Sequence, residues 1–338
     1  MNVAVVGATG AVGETILRVL EERDLPIETM RPFASRERTG GARFRGRELD
    51  VTAASRDALR GFDVVFFAGG EDASEEFVPA LVAAGCVVID NSATFRMRDD
   101  VPLLVPNVNA HALRAEHRLF PVANCTAIVL CTSLRPIRDA AGLGAVRVAT
   151  YQAASGAGRA GLDELLAGER ALAGGVPEPH PSVFARPLAR NIVPQVGAFD
   201  AAGWSGEEKK IAQESRKMLD LPGLLVSATA VRVPVRTAHS AAVFVETQRE
   251  TSVAELAAAF ESSPGVVFHR DSIVTPRDVE GTDSVHVARL RQEPFDTAQD
   301  DTGVNFALWC VGDQLRKGAA TNAVEILQLL LERGYVAG

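Results

Sequence analysis

Cys125 stands in the run Ala123-Asn124-Cys125-Thr126-Ala127-Ile128, directly ahead of an apolar stretch. If that stretch opens a helix at the cysteine, the helix dipole favours the thiolate, and the first-turn amides can hold an oxyanion. Those are the requirements of a sulfur nucleophile in covalent catalysis. Cys86 and Cys310 lie in strand-like runs and Cys131 inside the apolar stretch, so these three read as small core hydrophobes. His239 follows Arg232-Val233-Pro234-Val235-Arg236-Thr237-Ala238 in a loop between two strand-like segments. An imidazole there can serve as acid or base, since its unperturbed pKa is about 6.5. His111, His117, His180, His269 and His286 lack such a setting and read as surface or structural residues.

A second chemical signal opens the chain. The apolar run 2–6 reads as a buried parallel strand and meets Gly7-Ala8-Thr9-Gly10-Ala11-Val12-Gly13. Gly7 suits a tight turn, Gly10 lets the backbone approach a pyrophosphate, and Gly13 lets the following helix pack closely. The second strand ends at Ser35-Arg36-Glu37-Arg38-Thr39. An NAD site tends to place a carboxylate there. A hydroxyl with two guanidinium groups suits the 2′-phosphate of NADP instead. Glu207-Glu208-Lys209-Lys210 reads on its own as a solvated helix face, as most charge runs are.

The elements that must position these groups fall into two kinds. Strand-like runs at 27–33, 63–67 and 86–89 alternate with helical stretches at 14–23 and 75–84, which predicts a parallel sheet covered on both faces. Past residue 145 the strands lengthen: 145–151, 226–234, 241–247, 284–290 and 306–311, with helices at 161–172, 207–219 and 253–261. The expected fold is α/β: an N-terminal Rossmann-like domain with a parallel sheet, then an α+β catalytic and dimerisation domain with a mostly antiparallel or mixed sheet. A last helix, 318–333, is free to return to the first domain. The expected domains are 1–126 plus 316–338, and 127–315. Composition sets the outer limits. The chain has 338 residues, which at roughly 150 per domain agrees with two domains. Its 35 basic and 43 acidic residues give a net charge of −8, which disfavours nucleic acid. No apolar run suits a membrane span. Four cysteines without C-x-x-C spacing argue against a structural zinc site or a disulfide scaffold. The expectation is a reduced, soluble, cytoplasmic protein.

Further segments join these motifs in one order. They are Val88 through Arg96 with Asp100-Val101-Pro102-Leu103, Asn124-Cys125-Thr126, Tyr151 through Gly158, Asn191-Ile192-Val193-Pro194-Gln195, Glu207 through Lys210, Arg232 through Ser240, and Lys317 through Ala323. With the glycine loop, this series resembles the aspartate-β-semialdehyde dehydrogenase family over nearly the whole chain. The resemblance implies reductive dephosphorylation of L-4-aspartyl phosphate to L-aspartate-β-semialdehyde through a cysteine thioester, with NADP(H) and inorganic phosphate and no metal. That reaction serves lysine/diaminopimelate, threonine, methionine and isoleucine biosynthesis. Cys125 would be the nucleophile, His239 the acid/base and Gln152 the partner of the thioester oxygen. Arg232 would take the α-carboxylate, Glu208 the ammonium, and Arg96 and Lys210 the phosphate, with Asn124 beside the substrate. The cofactor would meet Gly7, Thr9, Gly10, Ala11, Val12, Gly13, Ser35, Arg36, Arg38, Gly69, Ser92, Ser155, Gly156, Gly158 and Gln314. A homodimer or tetramer is implied, with the second sheet at the interface.

The chain also departs from the family pattern. Ala123 replaces a proline, Ala238 a glycine, Gln314 an asparagine, Asn107 a glutamate and Gly41 a basic residue. None removes a group that the chemistry needs. The alternatives are an acetylglutamyl-phosphate reductase type, a non-catalytic NADP-binding relative and a cysteine hydrolase. The ammonium partner Glu208 argues against the first, the intact catalytic set against the second, and the glycine loop against the third. The acidic stretch 295–303 suggests no role.

Overall fold

The computed structural model describes residues 1–34, 41–294 and 304–337. Two compact units emerge, 1–124 with 319–338 and 125–318. The cut falls before Cys125 rather than after Thr126, because Cys125 starts a helix that packs on the second sheet.

In the first unit, β1 (Asn2–Val6), β2 (Thr29–Ala34), β5 (Thr52–Ala53), β6 (Val64–Phe67), β7 (Val87–Asp90) and β8 (Leu119–Pro121) form one sheet in the order β5-β2-β1-β6-β7-β8. Every pairing in it is parallel. Val64–Phe67 and Val87–Asp90 are buried along their whole length, as central strands covered on both faces must be. Helix α1 (Ala11–Glu22) buries Ile16, Leu17, Val19 and Leu20. α9 (Thr321–Glu332) returns to pack against α1, so the chain's last helix completes this unit. α2 (Glu71–Ala83) starts earlier than the sequence suggests. Glu71 and Asp72 occupy its first turn, where the dipole favours carboxylates.

A hairpin, β3 (Gly41–Phe44) and β4 (Arg47–Asp50), and the one-turn helix α3 (Pro106–Asn109) complete the unit. The residues expected to hold the 2′-phosphate, Ser35, Arg36 and Arg38, lie outside the described residues, as does 295–303.

The second unit is a mixed sheet flanked by helices. Its strands are β9 (Ala145–Gln152), β10 (Leu225–Arg232), β11 (His239–Glu246), β12 (Val266–His269), β13 (Val285–Gln292) and β14 (Asn305–Gly312), in the order β10-β9-β11-β14-β13-β12. β10 runs parallel to β9, and β12 to β13, while the remaining pairs are antiparallel. α4 (Cys125–Ala141), α6 (Gly206–Met218) and α7 (Val253–Glu261) pack on this sheet. α5 (Gly158–Ala173) and the one-turn α8 (Pro276–Val279) lie beyond. Leu225, Ser227 and Thr229 alternate with buried residues of β10 and stay exposed, as does Phe244 of β11.

Candidate active site

The first unit carries the glycine cradle. β1 ends at Val6, and Gly7 turns the chain with φ of 82°. A methyl group on Gly7 would lie 2.5 Å from the Ala68 carbonyl carbon, and one on Gly13 would lie 2.2 Å from the Gly7 oxygen. Only glycine fits either place. The N-cap of α1 is Gly10, which has no side chain to cap the first-turn amides. The first-turn amides of Ala11 and Val12 therefore remain suited to an anion. Gly7, Thr9, Gly10 and Gly69 line a cavity of about 720 Å³. It lies beyond the carboxyl ends of β1 and β6, where the strand order reverses, the usual place for a nucleotide. Cradle, uncapped helix and cavity together fit a dinucleotide.

Asp90, at the end of β7, is fully buried. It accepts hydrogen bonds from Ser74 Oγ at 2.8 Å, Ser92 N at 2.9 Å and Ser92 Oγ at 2.6 Å. Burial pushes its carboxyl above the ordinary value, opposed by these bonds and by the charge of Arg96. The Ser92 hydroxyl, expected beside the cofactor, thus donates to Asp90. Arg96 is buried and donates from Nη2 to the Asn91 carbonyl at 3.0 Å. Asn124 is also buried in this unit.

The second unit gathers the thiol and its surroundings. Cys125 is the first residue of α4 and is half-buried. A methyl group on Gly318 would lie 2.9 Å from Cys125 Cβ, so the turn at 316–320 presses on Cys125. Arg232 ends β10 with only 6% exposure. Burial draws its guanidinium below the ordinary value, while nearby Cys125 and Glu207 pull the other way. Its Nη1 donates to the Ala153 carbonyl at 2.5 Å.

His239 lies at the start of β11 and is 1% exposed, so it belongs to a strand rather than a loop. Burial holds the ring well below its usual pKa, and the Arg232 charge lowers it further. The ring is therefore neutral at pH 7. Nδ1 accepts from Ala153 N at 3.0 Å, which places the ring proton on Nε2. Nε2 has no hydrogen-bond partner among the described residues. A methyl group on Gly156 would lie 2.9 Å from both His239 Nε2 and Arg232 Nη1, so Gly156 leaves these two groups room.

Gln152 closes β9, with Oε1 accepting from Thr150 at 3.0 Å and Nε2 donating to Glu207 Oε1 at 3.0 Å. Glu207 also accepts from Thr126 Oγ1 at 3.3 Å. The carboxylate facing Gln152, Thr126 and Arg232 is thus Glu207, and this corrects the assignment to Glu208. Glu208 is buried and caps its own helix: Oε2 accepts from Ser205 N at 2.7 Å and Oε1 from Ala230 N at 3.0 Å. Ser205-x-x-Glu208 is a capping-box pattern, and that signal in the sequence could have separated the two glutamates. Lys210 is half-buried, three residues beyond Glu207 on α6 and so on the same helix face.

Gln314, expected near the cofactor, bridges two segments of the second unit. Its Oε1 accepts from Ala238 N at 2.6 Å and its Nε2 donates to Ser155 Oγ, so the amide ties the residue before His239 to Ser155. Ser155 is buried, whereas Gly156 and Gly158 are exposed. Ala238, where the family pattern has glycine, sits at φ of 71°, a conformation that favours glycine. The bond to Gln314 helps hold it there. The thiols of Cys86, Cys131 and Cys310 are pushed up by burial, to about 12, 12 and 11.

Among the described residues no three His, Cys, Asp or Glu side chains converge as a metal site would need, and no helix is long and apolar enough to cross a membrane.

Known proteins resemble this chain throughout its length. Residues 2–116 match the semialdehyde dehydrogenase NAD binding domain, and residues 134–317 match the semialdehyde dehydrogenase dimerisation domain. The aspartate-semialdehyde dehydrogenase of Legionella pneumophila is 39% identical, over 98% of this chain and 95% of its own. That of Aquifex aeolicus is 37% identical, over 99% of both chains. The crystal structure of aspartate semialdehyde dehydrogenase II from Vibrio cholerae superposes with a TM-score of 0.90 at 38% identity, covering 99% of both chains. On both its domains and its full-length relatives, the chain belongs to the semialdehyde dehydrogenase family.

Proposed function

We propose that this chain is an aspartate-β-semialdehyde dehydrogenase that reduces L-4-aspartyl phosphate to L-aspartate-β-semialdehyde with NADPH and releases phosphate, a step of amino-acid biosynthesis. One observation carries the reading. A half-buried cysteine at a helix start lies within electrostatic reach of a buried arginine that also feels Glu207. An amino-acid substrate needs that pair of opposite charges, and the relatives' activity agrees. A Vibrio cholerae relative, 38% identical, has been solved in complex with ASA. An N-acetylated substrate would leave Glu207 without an ammonium to pair, so the acetylglutamyl-phosphate reading is not favoured.

Arg232 takes the α-carboxylate and Glu207 the α-ammonium, which fixes the substrate before chemistry. Arg96 and Lys210 supply positive charge for the phosphate, and Asn124 lies beside Cys125 in sequence. The Cys125 thiolate attacks the acyl carbon; a C–S bond forms, and the bond to the phosphate oxygen breaks. The bound nicotinamide supplies the hydride that reduces the resulting thioester. Gly7, Thr9, Gly10, Gly13 and Gly69 would hold the cofactor, and Ser35, Arg36 and Arg38 its 2′-phosphate. Negative charge develops on the substrate oxygen in both additions. The second amide proton of Gln152 and the Nε2 proton of His239 meet it there. As the thiohemiacetal collapses, His239 shares that proton between this oxygen and the departing Cys125 sulfur. The sheet face bearing exposed Leu225 and Phe244 serves as the homodimer contact.

The pure protein is expected to form NADPH from aspartate semialdehyde only when phosphate and NADP are present. Cys125→Ser should lower turnover by more than about a thousandfold, and retained activity would refute the thioester route. Glu207→Gln should raise the Michaelis constant for the semialdehyde by about tenfold or more. Glu208→Gln should leave that constant near its starting value and instead cost about 1–2 kcal/mol of stability, through the lost cap. The reverse pattern in kinetics and melting would restore Glu208 as the ammonium partner. Catalytic efficiency should favour NADPH over NADH, and equal values would remove the 2′-phosphate from the reading of 35–38. Sedimentation should give the mass of two protomers; a monomer at micromolar concentration would leave the exposed sheet face unexplained.

A further inference from the structure

The segment just before Pro187 is drawn together by one carboxylate. Glu164 of α5 accepts at Oε2 from Ser182 N at 2.7 Å, Ser182 Oγ at 3.0 Å and Val183 N at 2.7 Å. At Oε1 it accepts from Phe184 N at 3.2 Å. Burial pushes the Glu164 carboxyl up, but these donors outweigh it and hold the group below its usual value. Three successive amides converging on one anion give the loop a fixed shape that its exposed residues could not enforce by packing.

That shape aims Phe184 at Arg232. The guanidinium carbon lies 5.6 Å from the centre of the Phe184 ring, within cation–π range. The ring also packs against a small core of Ala154, Leu165, Leu188, Ala189 and Val193. A methyl group on Gly161 would lie 3.0 Å from Phe184 Cζ, so α5 has a glycine where the ring comes close. The main chain of Arg232 is held as well, bonded in both directions to Val193 at 2.8 and 2.9 Å. The guanidinium therefore has one proton on Ala153, an aromatic ring nearby, and remaining protons for an incoming anion.

We propose that residues 182–184, gathered by Glu164, form a wall of the substrate's carboxylate subsite, and that Phe184 is the positioning residue that orients Arg232 for a short α-amino-acid carboxylate. The proposal rests on the reading of Arg232 as the carboxylate partner. A ring beside the guanidinium keeps the cation dry and restricts its rotation. It does so without competing for the N–H groups that the substrate must take. A leucine there would fill similar space but carry no π-face.

The test is steady-state kinetics with thermal melting on the full-length protein. Phe184→Leu should raise the Michaelis constant for aspartate semialdehyde about five- to thirtyfold, with the turnover number and the Michaelis constant for NADP little changed. Phe184→Tyr, which keeps the π-face, should return close to wild type. Glu164→Gln should repeat the Phe184→Leu shift, because an amide cannot gather the loop's donors in the same way. An unchanged Michaelis constant in Phe184→Leu, with or without a lower melting temperature, would show a packing role only and overturn the proposal. Equal defects in Phe184→Leu and Phe184→Tyr would overturn it too. These outcomes need an active wild type. A wild type without phosphate-dependent NADPH formation would overturn the underlying reading together with this one.

Discussion

A guanidinium that is only 6% exposed is the costly element of the second unit, and much of the neighbouring architecture answers to it. Arg232 stays charged even when buried, since arginine does not deprotonate in proteins. Its charge must therefore be compensated where it lies. The Ala153 carbonyl takes one proton, the Phe184 ring lies beside it, and the Glu207 carboxylate acts on it electrostatically. The same cation adds to the burial that lowers the pKa of His239, and it gives Cys125 a positive neighbour. Taking away Arg232 would thus change the electrostatic surroundings of the imidazole and of the thiol together.

Around this charge the backbone is braced from the 313–318 turn. Asp313 accepts at Oδ1 from the amides of Leu315 and Arg316 at 2.9 and 3.1 Å, and at Oδ2 from Gly281 N at 2.8 Å. Arg316 pairs with Asp283 at 2.9 Å. Gln314 extends from that knot to the Ala238 amide and the Ser155 hydroxyl, and Gly318 presses on Cys125. A π-helical turn spans 316–320, a form often found at functional sites. The turn thus touches both Cys125 and the residue before the imidazole. This offers a reason for the left-handed backbone at Ala238 to persist without glycine: a buried hydrogen bond opposes the steric cost.

The glycine loop and the thiol were legible in the sequence because their signals are local. Gly7 and Gly13 are forced by contacts with residues close by or on the adjacent strand, and Cys125 opens an apolar run. Helix α4 itself was harder to see. Twelve of its residues are buried, on almost all sides, so no clean amphipathic period marks it. The hairpin at 41–50 turns through Arg45 and Gly46, both left-handed, and Arg-Gly is a weaker signal than Asn-Gly. Glu207 and Glu208 could be told apart only by asking which one caps the helix. The positions of Gln314 and Phe184 depend on distant segments meeting, and neither spacing nor periodicity carries that.

Four free cysteines in one chain must differ in reactivity if one is to serve as a nucleophile. The structure separates them by solvation. Cys86, Cys131 and Cys310 are buried, and desolvation raises the thiols to about 12, 12 and 11. At neutral pH such groups hold a negligible thiolate fraction and behave as core hydrophobes. Cys131 makes the comparison sharpest, because it lies on the same helix as Cys125. The helix dipole acts within the first turn and has faded at Cys131. Cys125 keeps the helix N-terminus, a nearby guanidinium and partial exposure together. Position along one helix thus separates a thiol in the core from one with the surroundings a nucleophile requires.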